Sequence, residues 1–471
     1  MRFMPLIWVT VFLVAAGCAS NPDRAWPAGS IDVPDVWREA SATDVATNLA
    51  WWTRMEDPNL TRWVEEAVHA NHDLRIARAR LREARAGVAA SAAGFYPSVG
   101  VGAGMARQRV PAVSSPSGSV MEDTRYVAGF DAAWEVDVFG GTRAEKGAAS
   151  ARAERAVAEL DAVRHSIAAE TAAAYLAVRG WWRRLELAET NLALLSATRE
   201  RIEALHAVGL APALDVARAR SQQEAAASVP PVMRAAAAAE TYRLGVLTGL
   251  TPHDVAERLL ATPPWVIPEE PIPAGLPSEL LDRRPDLRAA EKALVASGFD
   301  RDAAEALRFP RFYLTGRYGR EGLSAGDLSD SAQAAWSIGP SLVWPVFQGG
   351  RIRAGIEAAD ARQEAALARY EQAVLIALAD VESALSGYAA HQAARRSLRQ
   401  AAEASRRTAE LARRSYDQGL IDFFEVLAAE REQAIRDDQL AEAETAVAIR
   451  FVQTYKALGG GPGEPDPGLQ K

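Results

Sequence analysis

Two stretches of this chain, Arg143 to Val208 and Arg351 to Gln418, contain no proline and are dominated by Ala, Leu, Glu and Arg. A helix through either one would extend on the order of 100 Å at about 1.5 Å per residue. In the second stretch, apolar Leu367, Tyr370, Val374, Leu378, Val381, Leu385 and Tyr388 follow one another at steps of 3, 4, 4, 3, 4 and 3, the spacing of a coiled-coil seam. A helix of this length cannot bury such a seam within itself, so it has to lie against a hairpin partner and neighbouring helices. Gly209 and Gly419 sit where the two helices must stop, at positions suited to positive φ. Asp215 and Glu425 then fall early in the returning helices, where a carboxylate suits the helix dipole.

The two stretches are halves of an internal duplication. Asp73-Leu74-Arg75 recurs as Asp286-Leu287-Arg288, Pro97 as Pro310, Val138-Phe139 as Val346-Phe347, and Gly209-Leu210 as Gly419-Leu420, each about 210 residues later. Each half therefore reads as helix, strand, loop, strand, very long helix, turn and long returning helix. The first opens at Asp57-Pro58, with a helical break near Asn71.

The strands alternate. From Tyr126 to Val138 the even positions are apolar (Tyr126, Phe130, Trp134 and Val136 among them), and the other face carries Gly129, Asp131, Glu135 and Asp137. In the second half, Phe312, Leu314 and Tyr318 oppose Thr315 and Arg317, and Trp336, Ile338, Leu342 and Trp344 oppose Ser337, Gly339 and Ser341. Apolar alternation with aromatics near the ends is the pattern of a membrane barrel strand, one face to lipid and one to a polar lumen. On this reading Asp131, Glu135 and Asp137 line the lumen, and the run Gly100-Val101-Gly102-Ala103-Gly104 supplies the small-residue face of a strand. Four strands cannot close a barrel, and open edges are not tolerated in lipid. Two chains would give a lumen filled by side chains, whereas three leave a channel.

Composition sets the remaining limits. A net charge of −8 and pI near 5.5 argue against a nucleic-acid partner. After the N-terminal segment, no stretch is expected to form a membrane-spanning helix. Arg2 precedes a short apolar run from Phe3 to Gly17, closed by Cys18, the single cysteine. The run reads as a secretory signal. It resembles a bacterial lipoprotein signal, in which Cys18 becomes the lipid-attachment site, although Ala15 stands where such signals usually carry Leu. Ala19, not Asp, follows, so an inner-membrane retention signal is absent. The six histidines form no H-E-x-x-H, there is no Walker lysine motif, and the glycine run fails the dinucleotide spacing. The chain is therefore not expected to be an enzyme or to use a cofactor or metal.

Several motifs, in order and repeated, carry a resemblance. They are Asp57-Pro58-Asn59-Leu60, Asn71-His72-Asp73-Leu74-Arg75, Phe95-Tyr96-Pro97, Trp134-Glu135-Val136-Asp137-Val138-Phe139-Gly140, Arg284-Pro285-Asp286-Leu287-Arg288 and Pro345-Val346-Phe347-Gln348-Gly349-Gly350-Arg351. Across the mature chain they resemble the TolC-type outer-membrane factors, in particular the lipoprotein branch typified by OprM. The resemblance implies a mostly α fold with a membrane β-barrel: antiparallel coiled-coil hairpins and four transmembrane strands per chain, closing as a homotrimer with a 12-stranded barrel and an α-helical periplasmic tunnel. It implies a passive exit duct in the cell outer membrane, anchored in outer-membrane lipid and served by a periplasmic adaptor and an inner-membrane pump of the RND type. Gly209, Leu210, Gly419 and Leu420 match the adaptor-docking tips. The family's gate lies at the same end. The position of its frequent Asp holds Ala428, which leaves Phe424 and Glu425 as the constriction. Tyr416 and Asp215 match a contact that holds the hairpins closed, and Ile421 stands where TolC itself carries the Arg that joins it.

The organisation expected is a signal over 1–17, an anchored segment over 18–56, repeats over 57–250 and 283–459 separated by an equatorial linker over 251–282, and a tail over 460–471. Two other readings are a duct for secreted proteins and a periplasmic coiled-coil structural lipoprotein; the latter leaves the alternating strands unexplained. Cys18→Ser is expected to abolish palmitate labelling while trimers still form, because the strands supply membrane affinity of their own. Unlabelled wild-type protein would contradict the anchor.

Overall fold

The structure, a computed structural model, describes residues 31–39, 50–114, 119–259, 272–330 and 333–460. The signal segment, Cys18 and the tail from 461 onward lie outside the described residues. The first half contains α1 (Pro58–Ala70), α2 (His72–Ala92), β1 (Ser98–Val110), β2 (Met121–Val136), α3 (Gly141–Ala207), α4 (Ala213–Ala227), α5 (Val229–Thr248) and α6 (Pro252–Arg258). The second contains α7 (Pro285–Ala306), β3 (Arg311–Gly322), β4 (Ala334–Val343), α8 (Arg351–Asp417) and α9 (Phe423–Ala457). The long helices α3 and α8 have the same length, 67 residues. Their returning partners differ. Helix α9 is continuous, whereas α4 and α5 are separated at Ser228, just before Pro230 and Pro231, which cannot donate the backbone bonds a continuous helix needs.

The chain divides into two compact units, and the division cuts across the repeats rather than between them. Among the described residues, one unit comprises 80–157 and 289–371, and the other comprises the remainder.

The first unit holds a single antiparallel sheet in the order β1-β2-β3-β4. Strands β2 and β3 pair across the repeats, leaving β1 and β4 as edges. The register unites the alternating faces. Val101, Phe130, Tyr318 and Trp336 form one cross-sheet row, and Gly100, Asp131, Arg317 and Ser337 form the next on the opposite face. On the polar face Gly129 lies opposite Gly319, and a Cβ on Gly129 would fall 2.6 Å from the Gly319 Cα. The two strands fold toward each other on that side, so the polar face is concave. In the helical part of this unit, small residues allow close packing: a Cβ on Gly147 of α3 would meet the ring of Phe299 of α7 at 2.7 Å.

Three expectations are corrected. Strand β2 stops at Val136, and the Asp137 carboxylate accepts hydrogen bonds from the amides of Thr142 (3.1 Å) and Arg143 (2.9 Å). Asp137 therefore caps the start of α3 instead of continuing the alternation of β2. Trp344 lies beyond β4, and its indole N–H donates to the Arg308 carbonyl at 3.2 Å. A stretch of α8 is, by length and composition, apolar enough to cross a membrane. The coiled-coil seam is only part of that apolarity: Val374, Ala377, Val381 and Leu385 are buried, whereas Leu375 and Ile376 beside them are exposed.

The second unit is organised by buried caps. One carboxylate oxygen of Asp57 accepts the amides of Asn59 (2.9 Å) and Leu60 (3.2 Å), opening α1. The other accepts the Tyr175 hydroxyl (2.9 Å) and the Arg179 guanidinium (2.6 Å) from α3. Asn71 caps α2 through the amides of Asp73 and Leu74 and donates to the Leu247 carbonyl at 2.9 Å. In the second repeat Arg284 takes the corresponding place and is paired with Asp286 (2.6 Å) and Asp380 (3.2 Å). Burial pushes the Asp286 carboxyl up, but its bonds to Arg284 outweigh this and hold it below its ordinary value. Burial, reinforced by the Arg164 charge, lowers His165 to about 4. Trp51 and Trp52 are packing residues: Trp51 is fully buried, stacked 6.1 Å from Tyr455 and edge-on to Trp52 at 5.5 Å. Near the start of the described chain, Trp37 is buried and the amides of Arg38 and Glu39 donate to Glu382 of α8.

Asp57→Ala removes the buried carboxylate that pairs with Arg179 and should cost about 3–5 kcal/mol, whereas Arg152→Gln, at an exposed pair with Asp300, should cost under about 1 kcal/mol. Chemical denaturation midpoints check the difference. Trp134→Arg, on the apolar face opposite Leu314 and two residues from the end of β2, should disfavour membrane insertion by about 1–2 kcal/mol, and Trp344→Arg, beyond the strand, by about 1 kcal/mol or less. Equal losses of membrane-inserted trimer would contradict this depth order.

Candidate gate and channel lining

The two hairpin tips are the same motif built twice. Helix α3 ends with Gly209 at φ +79° and α8 with Gly419 at φ +73°, a backbone conformation in which a side chain would be strained. The following amides close back on the helix, Leu210 on the Leu205 carbonyl (2.8 Å) and Leu420 on that of Ser415 (2.9 Å), which satisfies carbonyls the helix end leaves open. Val208, Leu210 and Leu420 are left well exposed at the tips. They give each turn an apolar surface.

Behind the tips, Leu195 and Ile202 of α3, Ala219 of α4, and Phe423, Val426 and Leu427 of α9 form one buried cluster. Tyr416 and Ile421 pack on its edge. Ion pairs continue along the helices: Arg201 with Asp417 at 3.5 Å, Arg413 with Glu430 at 2.7 Å, Arg406 with Asp437 at 2.7 Å and Arg184 with Asp438 at 2.7 Å. The two hairpins are thus joined by an apolar knot and by the pairs Arg201–Asp417 and Arg184–Asp438, while Arg413–Glu430 and Arg406–Asp437 tie α8 to α9 within one hairpin.

The structure distributes the expected gate residues differently from the resemblance. Tyr416 packs against Phe423 with ring centroids 5.7 Å apart and planes tilted by 55°, and Asp215 pairs with Arg218 at 3.7 Å, one turn along α4. Among the described residues no hydrogen bond joins Tyr416 to Asp215. Arg218 in turn lies over the half-exposed ring of Phe424, with its guanidinium carbon 5.0 Å from the centroid. Asp215 and Phe424 are therefore connected through Arg218, which the sequence reading did not single out. Its spacing three residues after Asp215 on one helix was the available signal. Glu425 is exposed, and its backbone amide is held by the N-cap Asp422 at 3.1 Å. Ile421, in the place of the missing Arg, contributes packing instead of charge.

The concave sheet face carries Asp131 and Glu135, each beside an arginine. Arg311 donates to Glu135 at 2.8 Å, and Arg317 lies 3.9 Å from Asp131, directly opposite it in the register. Arg317 also reaches Glu321 at 3.1 Å, and Arg125 approaches the same carboxylate at 3.6 Å. The acidic lining read from β2 alone is thus a chain of ion pairs between β2 and β3. Its basic members were hidden because they come mainly from the other repeat. The glycines 100, 102 and 104 fall on this same face of β1.

The profile of the outer membrane efflux protein family matches residues 63–249 and 276–460. The chain is 31% identical to the outer membrane protein OprJ of Pseudomonas aeruginosa over 97% of its own length and 96% of that protein. It is 30% identical to the pyoverdine export outer membrane protein OpmQ of Pseudomonas putida, over 98% and 97% of the two chains. Among solved structures, the outer-membrane channel OprN superposes with a TM-score of 0.85 at 36% identity, covering 91% of this chain and 97% of that one.

Proposed function

The chain belongs to the outer membrane efflux protein family, and from that premise we propose that it is a passive exit duct for small toxic compounds, opened at its hairpin tips by a periplasmic adaptor and driven by an inner-membrane RND-type pump. It is an outer-membrane channel of a tripartite efflux system, trimeric and extending into the periplasm. The observation that carries the duct is the sheet: one apolar face, one concave polar face, and two edges that only other copies of the chain can pair. Gly209, Leu210, Gly419 and Leu420 form the surface offered to the adaptor, whose contact would cover the exposed leucines. Cys18 holds the mature N-terminus to lipid.

The gate in this reading consists of Phe424, held by Arg218 and Asp215, of Tyr416 on Phe423, and of three symmetry-related Glu425 carboxylates at the mouth. Three like charges in a narrow opening attract cations. Export is tested in a strain lacking its own outer-membrane component but supplied with a compatible pump and adaptor. Expression should lower accumulation of a pumped fluorescent dye, and unchanged accumulation with trimer present in the outer membrane would refute the proposal.

Planar-bilayer recordings test the gate. Phe424→Ala and Arg218→Ala should both raise conductance, with the double variant gaining little over either, since the two act as one contact. Glu425→Gln should weaken cation selectivity and block by multivalent cations while leaving conductance near wild type. Selectivity and block unchanged by Glu425→Gln would place the mouth elsewhere.

A further inference from the structure

The polar face of the sheet has a charge pattern that the export reading does not require. Between Arg125 and Glu135 of β2, and along β3 from Arg311 to Glu321, it carries three arginines (Arg125, Arg311, Arg317) and three carboxylates (Asp131, Glu135, Glu321). Every one of the six is within 4.0 Å of an opposite partner, in the pairs Arg311–Glu135, Arg317–Asp131, Arg317–Glu321 and Arg125–Glu321. On β1 and β4 the positions of the same parity hold only Gly, Ala, Ser, Gln and Val. One further carboxylate, Asp123, stands nearer the loop end, where the Gln108 amide lies 3.5 Å from it. The charge is thus concentrated at the β2–β3 junction, where the two repeats meet. It is absent from the edges that meet neighbouring chains.

We infer that the barrel lumen, apart from the Asp123 carboxylates at its loop end, is built to be indifferent to the charge of the solute, the ion pairs of β2 and β3 cancelling as three ribs separated by uncharged strips at the subunit seams. The inference rests on the duct reading above and adds to it a substrate class: solutes of either sign and neutral solutes pass the barrel alike. The physical reason is that paired charges present dipoles whose field falls off within a few ångströms in water, whereas an unpaired row of either sign would set a potential along the wall. Charge discrimination, where it occurs, then belongs to the periplasmic mouth, far along the chain from these strands.

The test places a thiol on the lumen face as Ser341→Cys, in the same cross-sheet row as Tyr313 and Glu135 and two strands, about 10 Å, from the latter. A cationic and an anionic methanethiosulfonate are applied to whole cells, so that both enter from the loop end and the periplasmic gate plays no part. Labelling is read against the same chain without the added thiol. In an Asp123→Asn background with the ribs intact, the ratio of the two rates should match that for a free thiol in solution within about twofold. Glu135→Gln, which leaves Arg311 unpaired, should shift the ratio toward the anionic reagent by about fivefold. Arg311→Gln should shift it as far toward the cationic one. The exchange of Glu135→Arg with Arg311→Glu should restore the original ratio, and heat-resistant trimer on gels confirms that each variant is assembled. An Asp123→Asn protein with intact ribs whose ratio already departs strongly from that of the free thiol, or single variants that leave it unmoved, would overturn the inference while leaving the duct intact. Failure of both reagents to reach Ser341→Cys at all would overturn the duct reading itself.

Discussion

Inside a bilayer there is no water to satisfy a free backbone amide or carbonyl, and each one left unpaired costs several kcal/mol. A four-stranded sheet has two edges, and here they are β1 and β4, one from each repeat. Both carry apolar residues on the face that Phe130, Tyr318 and Trp336 continue, so both belong in the hydrocarbon region and both need a partner. The partner can only be another chain. From this follow the trimer, the enclosed lumen and the assignment of the concave face to water. Gly129 and Gly319 supply the curvature by letting β2 and β3 fold toward the polar side without side chains between them.

The helices meet the same problem in a different solvent. A 67-residue helix with an apolar seam is not stable alone, and the duplication supplies its partner, so that α3 and α8 each return through α4–α5 or α9. Small residues set how closely they approach. A Cβ on Gly180 of α3 would collide with Thr445 of α9, which shows these two helices packed with no space between them. Buried caps, Asp57 on Tyr175 and Arg179 above all, then tie the short helices to the long ones. At the tips the connection is mostly apolar, through Ile202, Phe423 and Leu427. Such a contact can slide or separate without leaving buried charge unpaired.

Much of this was legible in the sequence because periodicity reports burial directly. The seam steps from Leu367 to Tyr388, the alternation from Tyr126 to Val136 and the glycines at both tips each state a local geometry, and the structure has each of them. What escaped was whatever depends on a partner distant in sequence. Asp137 has the parity of a lumen residue, yet the turn after Val136 brings it onto the amides of α3. Asp131 and Glu135 look like bare acids until β3 delivers Arg317 and Arg311 from the other repeat. Tyr416 and Asp215 are paired by analogy, but Arg218 is nearer in the chain to Asp215 and takes it. The break between α4 and α5 was signalled plainly by Pro230-Pro231, which the reading of one long returning helix passed over.

The barrel depends most on the closure of β1 against β4 of a neighbouring chain, and cysteine crosslinking measures that closure directly. In a Cys18→Ser background, Val101→Cys on β1 is combined in turn with single cysteines from Ala334 to Val343 on β4, and the chains are oxidised in the membrane. The account predicts crosslinks between chains, running as dimers and trimers. They should be strongest where Val101 meets an apolar-face position such as Trp336, Ile338 or Leu342, and weak at the alternate positions. Oxidation that yields only monomers throughout the series, or crosslinks with no alternation, would contradict a barrel closed between chains.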